Sequence, residues 1–204
     1  MSIDLRVKRL ILVPSLLEAE YFVRGLGGAL QEGPFSFPVC YLEGFNTVLV
    51  VSGVGKVNAA VCTFCMIQHF SPSEFWVVGI GGAYPDSGLR IGDLAAASLE
   101  VYGDEIFPPK EFSMTPLTDL VSGKFITLSK LPESVEEAVK LSVSEGGALV
   151  ENMEGAAVAH AASLFGIAPV EVRAISNTAG IRDKSRWDVD LAMRNLVDFV
   201  RELL

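Results

Sequence analysis

The sequence predicts one α/β domain: a three-layer sandwich in which helices flank both faces of a central, mostly parallel mixed sheet. Short apolar runs bounded by turn residues alternate along the chain with longer segments of helical period, a pattern typical of parallel sheets covered on both faces. Half of the 204 residues are hydrophobic and 20% are charged, which is enough apolar material to bury such a sheet. No stretch is rich enough in Pro, Gly or Ser to be a linker, so we expect residues 1–204 to form a single domain.

The individual elements follow from the same alternation. Short apolar runs predict strands at residues 9–13, 47–52, 75–79, 93–98, 125–128, 148–151 and 170–175. Apolar positions at helical spacing predict helices at residues 16–26, 55–69, 133–144, 153–165 and 187–203. Pro108, Pro109 and Pro116 fall in residues 102–122, which we therefore interpret as an irregular excursion.

Charge and hydropathy exclude several classes of partner. The net charge of -9 and the pI near 4.7 disfavour nucleic acid and anionic membranes, because both need a basic surface. No run of 18 apolar residues occurs, and the apolar run LILV near the N-terminus is too short for the core of a signal peptide. We therefore expect a cytoplasmic protein.

The cysteines and histidines do not predict a metal site. Cys40, Cys62 and Cys65 make an odd number, so no disulfide framework is expected. Cys62 and Cys65 have the spacing of a redox or zinc pair, but they fall in an apolar helical run, where small buried thiols are the commoner outcome. His69 and His160 also lie on predicted helices, where a packed or surface role outweighs a catalytic one.

Two glycine-containing turns follow predicted strands, where ligands bind in open α/β sheets. The first, SGVGKVNAA at residues 52–60, opens a helix and either presents backbone N–H groups to an anion or a ribose, or is only a tight turn. Its spacing matches neither the dinucleotide-binding nor the P-loop motif. The second, GIGGAY at residues 79–84, lets the backbone approach a ligand closely, although such glycine clusters are also common at strand ends for purely structural reasons.

Two later segments place charged residues where packing alone explains them poorly. In ENMEGAA, residues 151–157, Glu154 stands at the start of an alanine-rich helix, where it either serves a site or only complements the helix dipole. In RAISN, residues 173–177, Arg173 lies within a buried strand and needs a partner, because an unpaired buried charge is costly. Together the two segments favour a functional site.

The segments SGVGKVNAA, VVGIGGAY with LRIGD, and ENMEGAA with VRAISN, in this order, resemble the nucleoside phosphorylase and nucleosidase superfamily. Within it, the extended patterns ENMEGAAVAHA and SNTAGIRDKSRWD are most similar to those of futalosine hydrolases, which act in menaquinone biosynthesis. The resemblance implies hydrolysis of a purine nucleoside, namely futalosine to hypoxanthine and dehypoxanthine futalosine, without a cofactor. The alternatives are a methylthioadenosine/S-adenosylhomocysteine nucleosidase, a purine nucleoside phosphorylase and a non-catalytic nucleoside-binding protein.

The resemblance also implies roles around the sugar. Glycoside cleavage passes through a cationic sugar, so a site needs a base for water and an anion beside the ribose. Glu154 matches the glutamate that binds the ribose hydroxyls and supports the positive charge. Arg173 matches an arginine near the attacking water, with Ser176 beside it. The water-activating glutamate falls in the turn after the first strand, where we favour Glu18 over Glu20.

The resemblance implies substrate contacts from Gly81, Gly82 and Met153, and a contact to the base from Asn177. Adenine-cleaving relatives carry Asp where this chain has Asn177, and that Asp protonates purine N7. An amide donates a hydrogen bond instead, which suits N7 or O6 of a 6-oxopurine such as hypoxanthine. Phe125 and Leu131 are candidates for base stacking, although residues 102–145 match the superfamily poorly.

Three further expectations follow from the resemblance. Arg182 and Asp183 form a lid over the base with Asp183 as a reserve acid, or else a solvated loop with a helix cap. Val78 lies in the strand where phosphorylases hold phosphate with an arginine, so water is favoured as the nucleophile. Family members close their sites across an interface, which implies a homodimer or a higher homo-oligomer.

Overall fold

The computed structural model describes residues 6–107 and 109–204. In these residues the strands are β1 (Arg9–Val13), β2 (Gln31–Glu32), β3 (Pro38–Leu42), β4 (Thr47–Val51), β5 (Glu74–Ala83), β6 (Leu94–Tyr102), β7 (Glu111–Ser113), β8 (Val121–Thr127), β9 (Val150–Asn152) and β10 (Val170–Thr178). The helices are α1 (Leu16–Leu26), α2 (Lys56–Phe70), α3 (Val135–Ser144), α4 (Gly155–Ser163) and α5 (Val189–Leu203). Short 3₁₀ turns lie at Pro34–Ser36 and Lys184–Arg186.

The predicted elements are present, and β1 and α1 have the predicted bounds. Three strands were not predicted: β2, β3 and β7. β2 has only two residues and both are exposed, β3 begins with a proline, and β7 has three residues inside the predicted excursion. β2 and β7 thus lack the apolar run on which a sequence-based prediction depends. Pro108, part of that excursion, lies outside the described residues.

The strands form one mixed sheet in the order β10-β6-β8-β9-β5-β1-β4-β3-β2, with β7 paired to β6. β10 also pairs with β5, so β5, β9, β8, β6 and β10 close into a ring. β5 runs parallel to β1 and to β10, and β1 runs parallel to β4. The antiparallel pairs are β2–β3, β3–β4, β5–β9, β6–β7 and β10–β6.

Helices cover both faces of the sheet, which confirms the predicted α/β fold. On β1 the side chains alternate: Leu10 and Leu12 face one core, and Ile11 and Val13 face the other. α2 and α4 pack together on the first face, and α1 and α5 pack together on the second. Each large apolar side chain buried in these two cores contributes roughly 1.5–3 kcal/mol to folding.

The parallel strands bring their carboxyl ends to one edge of the sheet. At that edge β1 leads to α1, β4 leads to the turn before α2, and β5 and β10 run side by side. The sequence placed its candidate residues after these strands, and the fold gathers them there.

Cys62 of α2 is buried in the core, and burial raises the pKa of its thiol. Among the described residues no helix is both long and apolar enough to cross a membrane.

Candidate active site

A cavity of about 370 Å³ opens at this edge of the sheet. That volume lies within the range of small-molecule sites, roughly 300–1,000 Å³. Its wall includes ten of the residues that the sequence singled out: Glu18, Gly81, Gly82, Leu131, Met153, Glu154, Arg173, Ser176, Asn177 and Arg182. The rest of the wall consists of Pro14, Ser15, Leu17, Val54, Ile80, Glu151, Asn152, Lys184 and Trp187.

Glu18 enters the cavity from the first turn of α1. Ser15 caps this helix by accepting a hydrogen bond from Glu18 N, and the Ser15 hydroxyl donates to Glu18 Oε2 at 2.5 Å. Ile80 N–H donates to Glu18 Oε1 at 3.0 Å. Burial raises the pKa of Glu18, although these two donors and the Arg173 guanidinium partly oppose that change. Glu18 is therefore a stronger base than an exposed carboxylate.

Gly79 makes room for this carboxylate. A Cβ at position 79 would meet Glu18 Oε1 at 2.7 Å and Arg173 Nη1 at 3.1 Å. Position 79, the first glycine of the GIGGAY segment, thus requires glycine because these two side chains approach the backbone closely. A larger residue would displace them.

Arg173 is the cation at the centre of the site, and it is 1% exposed. Its Nη1 donates to Glu154 Oε2 at 3.2 Å and to Ile80 O at 3.3 Å. Its Nε donates to Glu171 Oε1 at 2.8 Å. The partner that the sequence required for this buried charge is therefore a pair of carboxylates, and these carboxylates raise the pKa of Arg173.

Glu154 is held from two sides. Besides the bond from Arg173, its Oε1 accepts a hydrogen bond from Gly55 N–H at 2.9 Å. Gly55 precedes α2 with a φ of 96°, a conformation that favours glycine. The SGVGK turn thus directs a backbone donor at a protein carboxylate, which fixes Glu154 at the cavity wall.

A buried polar network lies beneath Arg173. Thr127 donates to Glu100 Oε2 at 2.7 Å, and Asn152 Nδ2 donates to Glu100 Oε1 at 2.5 Å. Asn152 Oδ1 accepts from the backbone N–H groups of Glu154 and Gly155, which orients the start of α4.

The carboxyl groups of Glu100 and Glu171 both lie against Gly155 in this network. Burial and repulsion between them raise the pKa of Glu100 well above its ordinary value. Burial also raises the pKa of Glu171, whose Oε2 has no hydrogen-bond partner among the described residues. Sequence reasoning missed both residues. The available signal was a charged residue inside each of two apolar strands, AAASLEVY and VEVRAI.

Asn177 lies at the end of β10 with a fixed amide. The Ser176 hydroxyl donates to Asn177 Oδ1 at 2.9 Å, and Asn177 Nδ2 donates to Thr178 O at 3.1 Å. The carbonyl oxygen is thus engaged, and the second N–H of the amide is available to a ligand. Ser176 therefore lies beside Asn177 and orients it.

Three sequence-based expectations do not match the geometry. Phe125 is fully buried in the core and does not line the cavity, because its side chain points from β8 into the packing under α4. Asp183 is exposed and caps the Lys184–Arg186 turn, and hydrogen bonds from Ser185 lower its pKa, so it is a poor acid. Val78 packs in the α1–α5 core, so position 78 does not face the cavity.

Glu20, the alternative that the sequence analysis placed second to Glu18, is not in the site. It is exposed on α1, pairs with Arg24 at 2.9 Å and lies outside the cavity wall. Arg182, in contrast, does line the cavity, and its guanidinium lies 5.5 Å from the centre of the Trp187 ring. His160 stacks on Phe112, away from this site, as expected of a packed histidine.

A model of the Phosphorylase superfamily matches residues 8–116 and 110–204. The chain belongs to the phosphorylase superfamily. Among curated members of this superfamily, a futalosine hydrolase of Thermus thermophilus is 32% identical, over 96% of this chain and 94% of its own length. A 5′-methylthioadenosine/S-adenosylhomocysteine nucleosidase of Halalkalibacterium halodurans is 30% identical, over 72% of this chain and 74% of its own.

Solved structures of the superfamily share the fold. The native structure of futalosine hydrolase from Helicobacter pylori has a TM-score of 0.85 at 22% identity, with 97% of each chain covered. A mutant of the 5′-methylthioadenosine/S-adenosylhomocysteine nucleosidase of the same organism, with 5′-methylthioadenosine in its active site, has a TM-score of 0.83 at 22% identity. It too is matched over 97% of each chain.

Proposed function

We propose that this phosphorylase-superfamily chain is a nucleosidase that hydrolyses futalosine to hypoxanthine and dehypoxanthine futalosine, a step of menaquinone biosynthesis. The observation that carries the proposal is the placement of two carboxylates, Glu18 and Glu154, around Arg173 on one cavity wall. Hydrolysis of a glycosidic bond needs both a base for water and an anion for the cationic sugar. A protein that only binds nucleosides does not need this pair.

Glu18 deprotonates the attacking water. Ser15 and Ile80 hold its carboxylate in place, and its raised pKa strengthens it as a base. Arg173 lies beside Glu18 and opposes the rise in its pKa, because the guanidinium charge favours the anion. The position next to this pair is where water would attack the anomeric carbon.

Glu154 stabilises the ribosyl cation and binds the ribose hydroxyls. Its carboxylate is fixed by Gly55 N–H and Arg173, so it does not have to reorganise as positive charge develops. Preorganised groups of this kind commonly contribute a factor of roughly 100 or more to the rate.

Asn177 recognises the base. Its free N–H is a donor for N7 or O6, both of which are acceptors in hypoxanthine. An adenine nucleoside offers an amine where hypoxanthine offers O6, so the donor would be left without an acceptor there. This difference favours futalosine over 5′-methylthioadenosine, the alternative substrate that other relatives indicate.

Water, and not phosphate, is the proposed nucleophile. Val78 faces the core, so the identity of this residue does not decide between the two. The ion pairs of Arg173 support water as the nucleophile, because Glu154 and Glu171 already balance its positive charge. An anionic nucleophile would have to compete with these carboxylates for the cation.

We further propose a homodimer or a higher homo-oligomer in which a second copy covers the α2–α4 face. Val57, Val61 and Phe64 of α2 are exposed, as is Leu164 at the end of α4. Val61, Phe64 and Leu164 border an apolar groove. Exposed apolar patches of this kind mark interaction surfaces. Sedimentation equilibrium of the wild type and of a Phe64→Glu, Leu164→Glu variant tests this: a monomeric wild type would contradict it.

A nucleoside panel tests the function. Futalosine, 5′-methylthioadenosine and inosine are incubated with the protein, with and without phosphate, and the released base and sugar are identified by chromatography. We expect free hypoxanthine and a free sugar product from futalosine, at a rate that phosphate does not change. A sugar 1-phosphate would assign the chain to the phosphorylases, and a preference for 5′-methylthioadenosine would reassign the substrate.

A further inference from the structure

Gly82 of β5 lies between two polar side chains from its neighbouring strands. It pairs with Glu151 of β9 on one side and with Asn177 of β10 on the other. A Cβ at position 82 would meet Glu151 Oε1 at 2.8 Å and Asn177 Nδ2 at 3.1 Å. All three residues line the cavity, so glycine at this position leaves room for a carboxyl and an amide side by side.

Glu151 is a buried carboxyl without a partner. It is 1% exposed, and neither Oε1 nor Oε2 has a hydrogen-bond partner within residues 6–107 and 109–204. A carboxylate in such a place is costly, so it takes up a proton or binds a ligand. The polar atoms of Glu151 are therefore available to a molecule in the cavity.

The buried position of Glu151 keeps its carboxyl group protonated at neutral pH. Burial raises its pKa to about 8, with a smaller repulsion from Glu137 and an opposing attraction from Arg182. Tyr84 is a further titratable neighbour, and burial together with Glu151 raises the pKa of its hydroxyl, so it is neutral. At neutral pH the cavity thus contains an acid that can donate a proton.

β5 separates this acid from the water-activating glutamate. Glu18 lies against Gly79, and Glu151 lies against Gly82. A strand advances about 3.3 Å per residue, so these two positions are roughly 10 Å apart. A nucleoside that lies along β5, with its ribose at Glu154, therefore places its base at Glu151.

Resting on the proposed nucleosidase function, we propose that Glu151 is the general acid that protonates N7 of the departing purine. As the bond between C1′ and N9 breaks, its electron pair moves onto the purine, and the carboxyl proton of Glu151 moves to N7. The base leaves as neutral hypoxanthine. Water adds to C1′ and gives a proton to Glu18. Glu18 then releases this proton to solvent, and solvent returns a proton to Glu151.

Other candidates for this role are excluded by chemistry or position. Asn177 can donate a hydrogen bond, but an amide does not release a proton. Asp183 is exposed, lies outside the cavity wall and has a lowered pKa. Glu151 is a carboxylic acid beside Asn177, so the amide orients the base and the acid protonates it.

Glu151→Gln tests the proposal with two substrates. Futalosine needs a proton on its base, whereas its N7-methyl derivative carries a positive base that leaves without one. We expect the variant to lose 100-fold or more of kcat/KM on futalosine, as is usual for loss of a general acid, which contributes roughly 10²–10⁴-fold. On the N7-methyl derivative it should stay within a few-fold of the wild type. Equal losses on both substrates would overturn the proposal.

The pH profile on futalosine is an independent readout, and it does not depend on acceptance of the methylated substrate. In the wild type, kcat/KM should fall above about pH 8, where Glu151 loses its proton. In Glu151→Gln this alkaline fall should disappear, and a fall retained at the same pH would also overturn the proposal. Glu20→Gln, an exposed change outside the cavity, is the matched control and should alter neither readout. A wild type inactive on every nucleoside would instead refute the nucleosidase function.

Discussion

Arg173 and Glu154 form a buried ion pair at the cavity wall, with Nη1 and Oε2 3.2 Å apart and side chains 1% and 4% exposed. The pair belongs to a larger group of buried charges, because Arg173 also binds Glu171 and approaches Glu18. Removal of one member of a buried pair leaves its partner uncompensated, at a cost of roughly 3–5 kcal/mol. The tests below therefore exchange carboxylates and amides of the same shape, which changes the charge and preserves the packing.

Glu154→Gln should keep the fold and lose most activity. The amide retains the side-chain volume and can still accept from Gly55 N–H, but it removes the anion beside the ribosyl cation. We expect kcat/KM to fall roughly 100-fold or more, as for other losses of electrostatic support. Steady-state kinetics measures this, and circular dichroism checks the fold. A folded variant with wild-type turnover would exclude Glu154 from the chemistry.

Glu18→Gln should abolish hydrolysis and preserve binding, because its proposed role is to take a proton from water. Calorimetry with futalosine, alongside turnover, separates the two effects. Glu20→Gln is the control, since Glu20 is an exposed glutamate on the same helix and pairs with Arg24. If Glu20→Gln is inactive and Glu18→Gln is not, the assignment at α1 is wrong.

Asn177→Asp should change base preference. The aspartate replaces a donor by an acceptor unless it is protonated, so futalosine cleavage should weaken. A protonated aspartate can instead serve N7 of an adenine nucleoside. The quantity to measure is the ratio of kcat/KM for futalosine to that for 5′-methylthioadenosine, which a site matched to hydrogen-bonding groups can set by several kcal/mol. An unchanged ratio would show that Asn177 does not read the base.

Glu151 should make stability depend on pH. Its pKa is raised from 4.5 to about 8 on folding, so its favourable contribution is complete below about pH 4.5 and is lost as the pH rises through 8. Each tenfold difference in proton affinity between the folded and unfolded chain corresponds to roughly 1.4 kcal/mol. Glu151→Gln, which cannot ionise, should be more stable than the wild type at pH 9, and the difference should shrink toward pH 5. Urea unfolding at both pH values measures this, and a constant difference would contradict it.

Much of the fold and half of the site were predictable from the sequence. The apolar runs of β1 and β5 and the helical period of α1 locate the elements directly, since each is long and regular. The parallel order then brings Glu18, Glu154 and Arg173 to one edge, because parallel strands end on the same side. Short or polar strands such as β2 and β7 lack that signal.

What only the tertiary structure decided is the environment of each polar group. The segment ENMEGAA contains two glutamates three residues apart, and the sequence analysis assigned a catalytic role to Glu154 alone. In the fold, Glu154 is paired with Arg173 and accepts from Gly55, whereas Glu151 is buried beside Gly82 without a partner in the described part of the chain. Burial and neighbouring charge, which come from strands distant in sequence, set the protonation state of such groups. For the same reason Phe125 belongs to the core, because the face of β8 from which it projects is covered by α4.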